Sequence, residues 1–139
     1  MTIKERQEEL IEAFSIFEDW MEKYEYIIDL GKDVDGVNED DKLEDYLVRG
    51  CQSRVWLIPE FEEGKLHFKA DSDAIITKGI VGMVVRVLND STPKEILDEE
   101  LFFVDKIGLK EHLSPTRSNG LVSMIKKIKM YALIYSAKE

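Results

Sequence analysis

Gln52-Ser53-Arg54-Val55-Trp56-Leu57-Ile58-Pro59-Glu60-Phe61-Glu62-Glu63-Gly64-Lys65-Leu66-His67-Phe68-Lys69-Ala70-Asp71 is the stretch that decides the fold. Two runs rich in β-branched and aromatic residues, Gln52 to Phe61 and Lys65 to Asp71, flank Glu63-Gly64, a two-residue turn with glycine where a positive φ is needed. If Glu62 faces Lys65, Phe61 faces Leu66, Pro59 faces Phe68 and Leu57 faces Ala70. One face then carries Val55, Leu57, Phe61, Leu66, Phe68 and Ala70, and the other sets Glu60 opposite His67 and Glu62 opposite Lys65. Such a division of apolar and polar faces belongs to a sheet packed on one side.

Helical patterns surround the hairpin. Ile3, Leu10, Phe14 and Phe17, then Trp20, Tyr24, Ile27 and Ile28, form one long or two short amphipathic helices, with Gly31 as the expected stop. From Lys32 to Tyr46, seven acidic residues among few apolar ones read as a solvated connecting loop. Asp71-Ser72-Asp73 offers N-cap side chains to the run Ala74 to Leu88, apolar nearly all round and so a buried central helix, in which Gly79 and Gly82 point to close packing. Thr92-Pro93 opens a short helix through Leu97. A last helix starts near Ser114-Pro115 or Ser118 and runs to about Ala137, with Leu121, Met124, Ile125, Ile128 and Ala132 inward and Lys126, Lys127 and Lys129 outward. The reading is α+β: one domain, 1–139, a small antiparallel sheet covered on one face by helices.

A net charge of -10 repels a phosphate backbone, which argues against nucleic acid and anionic membrane as partners. The charged N-terminus lacks the unbroken apolar segment of a secretory signal, and Ala74 to Leu88 is shorter than the ~20 residues that span a bilayer. A cytosolic location is expected. One cysteine, Cys51, cannot close an internal disulfide, and one cysteine with two scattered histidines makes no zinc pattern.

Cys51 sits in Gly50-Cys51-Gln52-Ser53-Arg54, with Arg49 before it. The bland reading is a buried small hydrophobe, and the strand parity that places Cys51 on the side of Val55 and Leu57 supports it. The functional reading notes that two guanidinium groups and the start of the central helix, opposite Cys51 in the hairpin register, would favour a thiolate. Asp73 would oppose them, so a modestly lowered thiol pKa is expected. No base assists. His67 pairs with Glu60, some nine residues along the strand, or about 30 Å at ~3.3 Å per residue, and His112 has no special context. A nucleophile without a base suits sulfur exchange, in which a thiolate attacks a sulfur that already bears its leaving group.

Four blocks in order, Tyr26-Ile27-Ile28-Asp29-Leu30-Gly31, Gly50-Cys51-Gln52-Ser53-Arg54-Val55-Trp56, Asp71-Ser72-Asp73-Ala74 with Gly79 five positions on, and His112-Leu113-Ser114-Pro115-Thr116-Arg117-Ser118-Asn119-Gly120-Leu121, resemble the SufE family of sulfur acceptors over nearly the whole chain. Arg54 stands where glutamine is frequent in that family, and Asn119 where glutamine also occurs. The resemblance implies the fold shared with IscU-like scaffolds, and no cofactor or metal of its own. It implies a pyridoxal-phosphate cysteine desulfurase as partner, a persulfide formed on Cys51, and delivery to an iron-sulfur cluster assembly scaffold. The protein would then enhance the desulfurase instead of acting as a stand-alone enzyme. It implies a role for Arg117 in activity and a partner-binding set of Gly50, Gln52, Ser53, Arg54, Asp73, Arg117 and Asn119. An adapter that activates the desulfurase allosterically, with Cys51 merely packed, is the alternative; a stand-alone thiol redox protein is disfavoured because there is no resolving cysteine. A homodimer is left open.

Overall fold

The computed structural model describes residues 1–137, and the hairpin has the expected register. β1 (Val55–Glu62) and β2 (Lys65–Ser72) run antiparallel, with Glu62 facing Lys65, Leu57 facing Ala70 and Val55 facing Ser72. Glu63 and Gly64 have φ of 52° and 78°, the two positive values that a type I′ turn requires and that match the twist of the strands. Val55, Leu57, Leu66, Phe68 and Ala70 are buried on one face. Among the described residues the sheet has two strands.

β1 begins at Val55 instead of Gln52. Local bonds have replaced the ladder there: the Asp73 carboxylate accepts from Arg54 N, and Ser72 Oγ donates to Arg54 O. Asp73 therefore does not cap the central helix, α3 (Ile75–Leu88), whose N-cap position is Ala74 with only Ser72 Oγ accepting from its N–H.

The N-terminal pattern resolves into two helices. α1 (Ile3–Ser15) opens on a Thr2–Glu5 capping box, and α2 (Trp20–Lys32) on the Asp19 side chain. Gly31 lies inside α2 and does not end it, because its task is close approach: a Cβ there would stand 2.8 Å from Gly79 N. The acidic run is not merely solvated. It forms 3-10 turns at Glu39–Asp41 and Glu44–Tyr46 and lies over the outer face of the hairpin, where Leu47 bridges Trp56 and the Lys42 ammonium sits 5.0 Å from the Trp56 ring centre. Trp56 is buried as a result.

α4 (Pro93–Asp98) starts at a Thr92–Glu95 capping box. Two short helices that the apolar spacing did not reveal, α5 (Phe103–Ile107) and α6 (Leu109–His112), precede α7 (Pro115–Ser136). Leu121, Met124, Ile128 and Ala132 of α7 are buried as expected, whereas Ile125 is half-buried at the edge. Tyr131 OH donates to Leu57 O at 3.0 Å and ties α7 to β1. Helices α3 and α7 thus cover the apolar face of the hairpin, an α+β arrangement. Among the described residues, no helix is long and apolar enough to cross a membrane.

His67 joins three segments. Its Nε2 lies 2.6 Å from Asp35 Oδ2 in the run after α2, and its Nδ1 lies 3.3 Å from Asp90 Oδ1 in the turn after α3. Burial lowers the imidazole pKa, but the hydrogen bonds to both carboxylates outweigh it and leave the pKa raised. A raised folded-state value contributes stability that is fully present below the unfolded value of about 6.5 and is lost as pH rises through the folded value. The destabilisation caused by His67→Ala, read as a difference in melting temperature from the parent, is therefore expected to be larger at about pH 5.5 than at about pH 8.5; equal differences would contradict the pairing.

Candidate functional site

Cys51 lies between Val48, whose N–H donates to Val55 O, and the start of β1, on a segment that turns at Gly50. Gly50 has φ of 96°, and a Cβ there would meet Ser123 Oγ of α7 at 2.5 Å, so both backbone and space demand glycine. The turn seats the thiol against α7. Cys51 Sγ donates to Gly120 O at 3.6 Å, and a methyl on Gly120 would stand 3.3 Å from the sulfur.

The half-buried thiol opens into a cavity of about 360 Å³ with three walls. Cys51, Gln52 and Ser53 form the first. Ala74, Ile76, Thr77 and Ile80 from the start of α3 form the second, and Ser114, Thr116, Arg117, Gly120 and Met124 around the N-terminal turns of α7 form the third. Hence the hairpin register, which set Cys51 opposite the beginning of the central helix, places those elements correctly. Arg117, distant in sequence, shares the cavity with Cys51.

The electrostatic expectation for the thiol is overturned. Burial pushes the Cys51 thiol pKa up, because a thiolate in this partly apolar pocket would lose its water. Neither neighbouring arginine offsets this. The Arg49 guanidinium is 3.1 Å from Glu44, and Arg54 engages Asp73 through its main-chain N–H while its side chain is exposed. At rest the sulfur is a neutral S–H donor.

Of the other expected site residues, Gly50, Gln52, Ser53 and Arg117 gather at the thiol. Arg54 and Asp73 are exposed beside the cavity and tied to each other. Asn119 is exposed on α7 and does not line the cavity. Helical spacing would have found Gly120 and Met124, since they follow Arg117 by three and seven residues on one face. Ile76, Thr77 and Ile80 carry no chemical signature and are located only by the fold.

Neither histidine reaches the thiol. His67 is held by Asp35 and Asp90, while His112 stacks on Trp20 at 4.1 Å and its Nδ1 lies 3.0 Å from Gly108 O. Among the described residues no group of three His, Cys, Asp or Glu could hold a metal ion. What remains is a shielded thiol without a base, beside a guanidinium that has no hydrogen bond or ion pair with another described side chain. That set cannot drive acyl transfer, which needs proton abstraction and an oxyanion hole. It can exchange sulfur with a donor that brings its own leaving group.

The SufE family model, described as an Fe-S metabolism associated domain, matches residues 8–132. Among solved structures, the solution structure of a hypothetical protein from Thermus thermophilus is similar, with a TM-score of 0.76 at 19% sequence identity over 93% of this chain and 94% of that chain. That likeness is one of fold.

Proposed function

The chain belongs to the SufE family and so to iron-sulfur metabolism, and from that premise we propose that Cys51 receives sulfane sulfur from the persulfide of a pyridoxal-phosphate cysteine desulfurase. The Cys51 thiolate attacks the outer sulfur of the donor persulfide. A new S–S bond forms at Cys51 as the donor S–S bond breaks, the donor cysteine leaves with the electron pair, and the Cys51 proton ends on that leaving thiolate. One thiol and one persulfide become one persulfide and one thiol, with no net oxidation.

The observation that carries this reading is the shared cavity of Cys51 and Arg117, walled by α3 and α7. A raised thiol pKa keeps the resting sulfur protonated and slow toward small oxidants. Docking of the donor would draw the Gly50–Ser53 segment outward, with Arg117 stabilising sulfur anions. The rim of Gly50, Gln52, Ser53, Arg54, Asp73 and Asn119 would contact the partner. The loaded chain, acting as one domain in the cytosol, would then pass its sulfur to an iron-sulfur assembly scaffold.

The test is cysteine turnover by the desulfurase. The acceptor reading predicts that the parent chain stimulates turnover and that Cys51→Ser does not. Full stimulation by Cys51→Ser would replace this reading with an allosteric adapter in which the thiol is only packed.

A further inference from the structure

Arg117 lines the thiol cavity, yet no described side chain pairs with its guanidinium. Its place there is therefore inherited from the backbone that carries it. That backbone is the first turn of α7, and the junction before it is thinly held: residues 110–112 and 114–117 are exposed, and Leu113 is the one buried apolar pin between them. α6 has four residues and starts after Gly108, whose φ of 83° reverses the chain. A helix that short is not stable alone, so a contact from elsewhere must fix the direction in which α7 starts.

α2 supplies that contact. The Trp20 indole stacks on His112 with ring centres 4.1 Å apart and planes 13° from parallel, and the Tyr24 hydroxyl donates to His112 O. His112 Nδ1 lies 3.0 Å from Gly108 O, so the gripped ring is also tied to the residue where α6 begins. The indole is steadied in turn by the Tyr24 ring at 5.7 Å and the Lys23 ammonium at 4.9 Å. Trp20, Tyr24, Ile27 and Gly31 follow one another at helical spacing along one side of α2, and the last two are the residues pressed against Gly79 of α3. The second half of α2 is thus packed on the helix that forms one cavity wall, while its first turns hold the approach to the helix that forms another.

We propose that Trp20 is a positioning residue for sulfur transfer: stacked on His112, it sets the start of α7 so that Arg117 stands at the Cys51 cavity. The inference rests on the reading of Arg117 as the group that stabilises the sulfur anion. A guanidinium aimed at a developing charge works through its placement, and a shift of about 1 Å costs up to about a hundredfold in rate. Trp20 does not line the cavity, so its effect on the chemistry passes through Arg117.

A double-mutant cycle on the rate of sulfur uptake from the desulfurase tests this. Trp20→Ala is expected to slow uptake about 5- to 20-fold in the parent but by less than about 1.5-fold in an Arg117→Ala chain, where the residue it acts through is gone. Trp20→Phe keeps a ring for His112 to stack on and is expected to come within about twofold of the parent. Tyr24→Phe removes one oxygen and leaves every ring, so it keeps the proposal testable if Trp20→Ala does not fold. It is expected to slow uptake about 2- to 3-fold, again only where Arg117 is present. A loss of the same size with and without Arg117 would make Trp20 a docking contact or a general support of the fold and overturn the proposal. Parent-like uptake by Trp20→Ala and Tyr24→Phe, beside a slowed Arg117→Ala, would overturn this inference alone. Parent-like uptake by Arg117→Ala would overturn it together with the reading of Arg117, and a parent chain that takes up no sulfur would overturn it together with the acceptor reading.

Discussion

Gly79→Ala is expected to lower stability by about 2–3 kcal/mol, and with it the melting temperature by roughly 10 °C. On helix propensity alone the change should help by about 1 kcal/mol, since alanine is the better helix former. Space decides against it. A methyl at Gly79 would stand 2.7 Å from the Ile27 carbonyl carbon and 2.8 Å from its Cγ2, and the obstacle is the backbone of α2, which has no rotamer to change. The close approach runs in both directions, since a Cβ on Gly31 would meet Gly79 N at 2.8 Å and Gly79 Cα at 2.9 Å. Gly36→Ala is the control, because a methyl there meets nothing within 4 Å, and it should melt within about 1–2 °C of the parent. A Gly79→Ala protein that also melts there would show that α2 and α3 are not packed backbone to backbone. Function would follow structure in this variant, since α3 supplies one wall of the thiol cavity.

Arg117→Ala is expected to separate function from folding. Its cation stands in the first turn of α7, where the helix dipole disfavours positive charge by about 0.3–1 kcal/mol. Among the described residues its guanidinium has no hydrogen-bond or ion-pair partner, and its main-chain N–H donates to Ser114 Oγ at 3.3 Å. Removing the side chain should thus leave stability unchanged or raise it by a few tenths of a kcal/mol. The rate of sulfur uptake from the desulfurase is expected to fall by about 10- to 100-fold, the worth of one charge-assisted contact to a developing sulfur anion, and Arg117→Lys should recover part of it. Stopped-quench measurement of uptake beside a thermal melt reads both quantities. An unchanged rate would remove Arg117 from the chemistry and leave it as an ordinary surface cation.

How much of this could be read from the residues alone depends on whether the determining physics was local. The hairpin was legible because the register, the turn and the face pattern constrain one another: once Glu63-Gly64 is the turn, Val55 must face Ser72. The same register brought Cys51 to the start of α3. The strand end was misread because its backbone is taken by Asp73 and Ser72, side chains that from the residue pattern looked like helix caps. Gly31 was misread because a glycine that ends a helix and one that lets another helix approach look alike until the partner, Gly79, is located.

At the site, the residues with distinctive chemistry were visible and their environment was not. Arg49 and Arg54 are close to Cys51 in sequence, yet the Arg49 guanidinium is paired with Glu44 and the Arg54 side chain is exposed, and the thiol is governed by burial against Gly120 instead. α5 and α6 escaped notice because helices of five and four residues are too short for apolar periodicity to register.

The intact mass of the chain after incubation with its desulfurase and free cysteine, followed by peptide mapping, tests the sulfur-carrier reading most directly. The expected result is the addition of a single sulfur atom, located on the peptide that contains Cys51, released by reductant and absent from Cys51→Ser. A parent chain that gains no sulfur while the desulfurase turns over, or a Cys51→Ser chain that still gains it, contradicts the account.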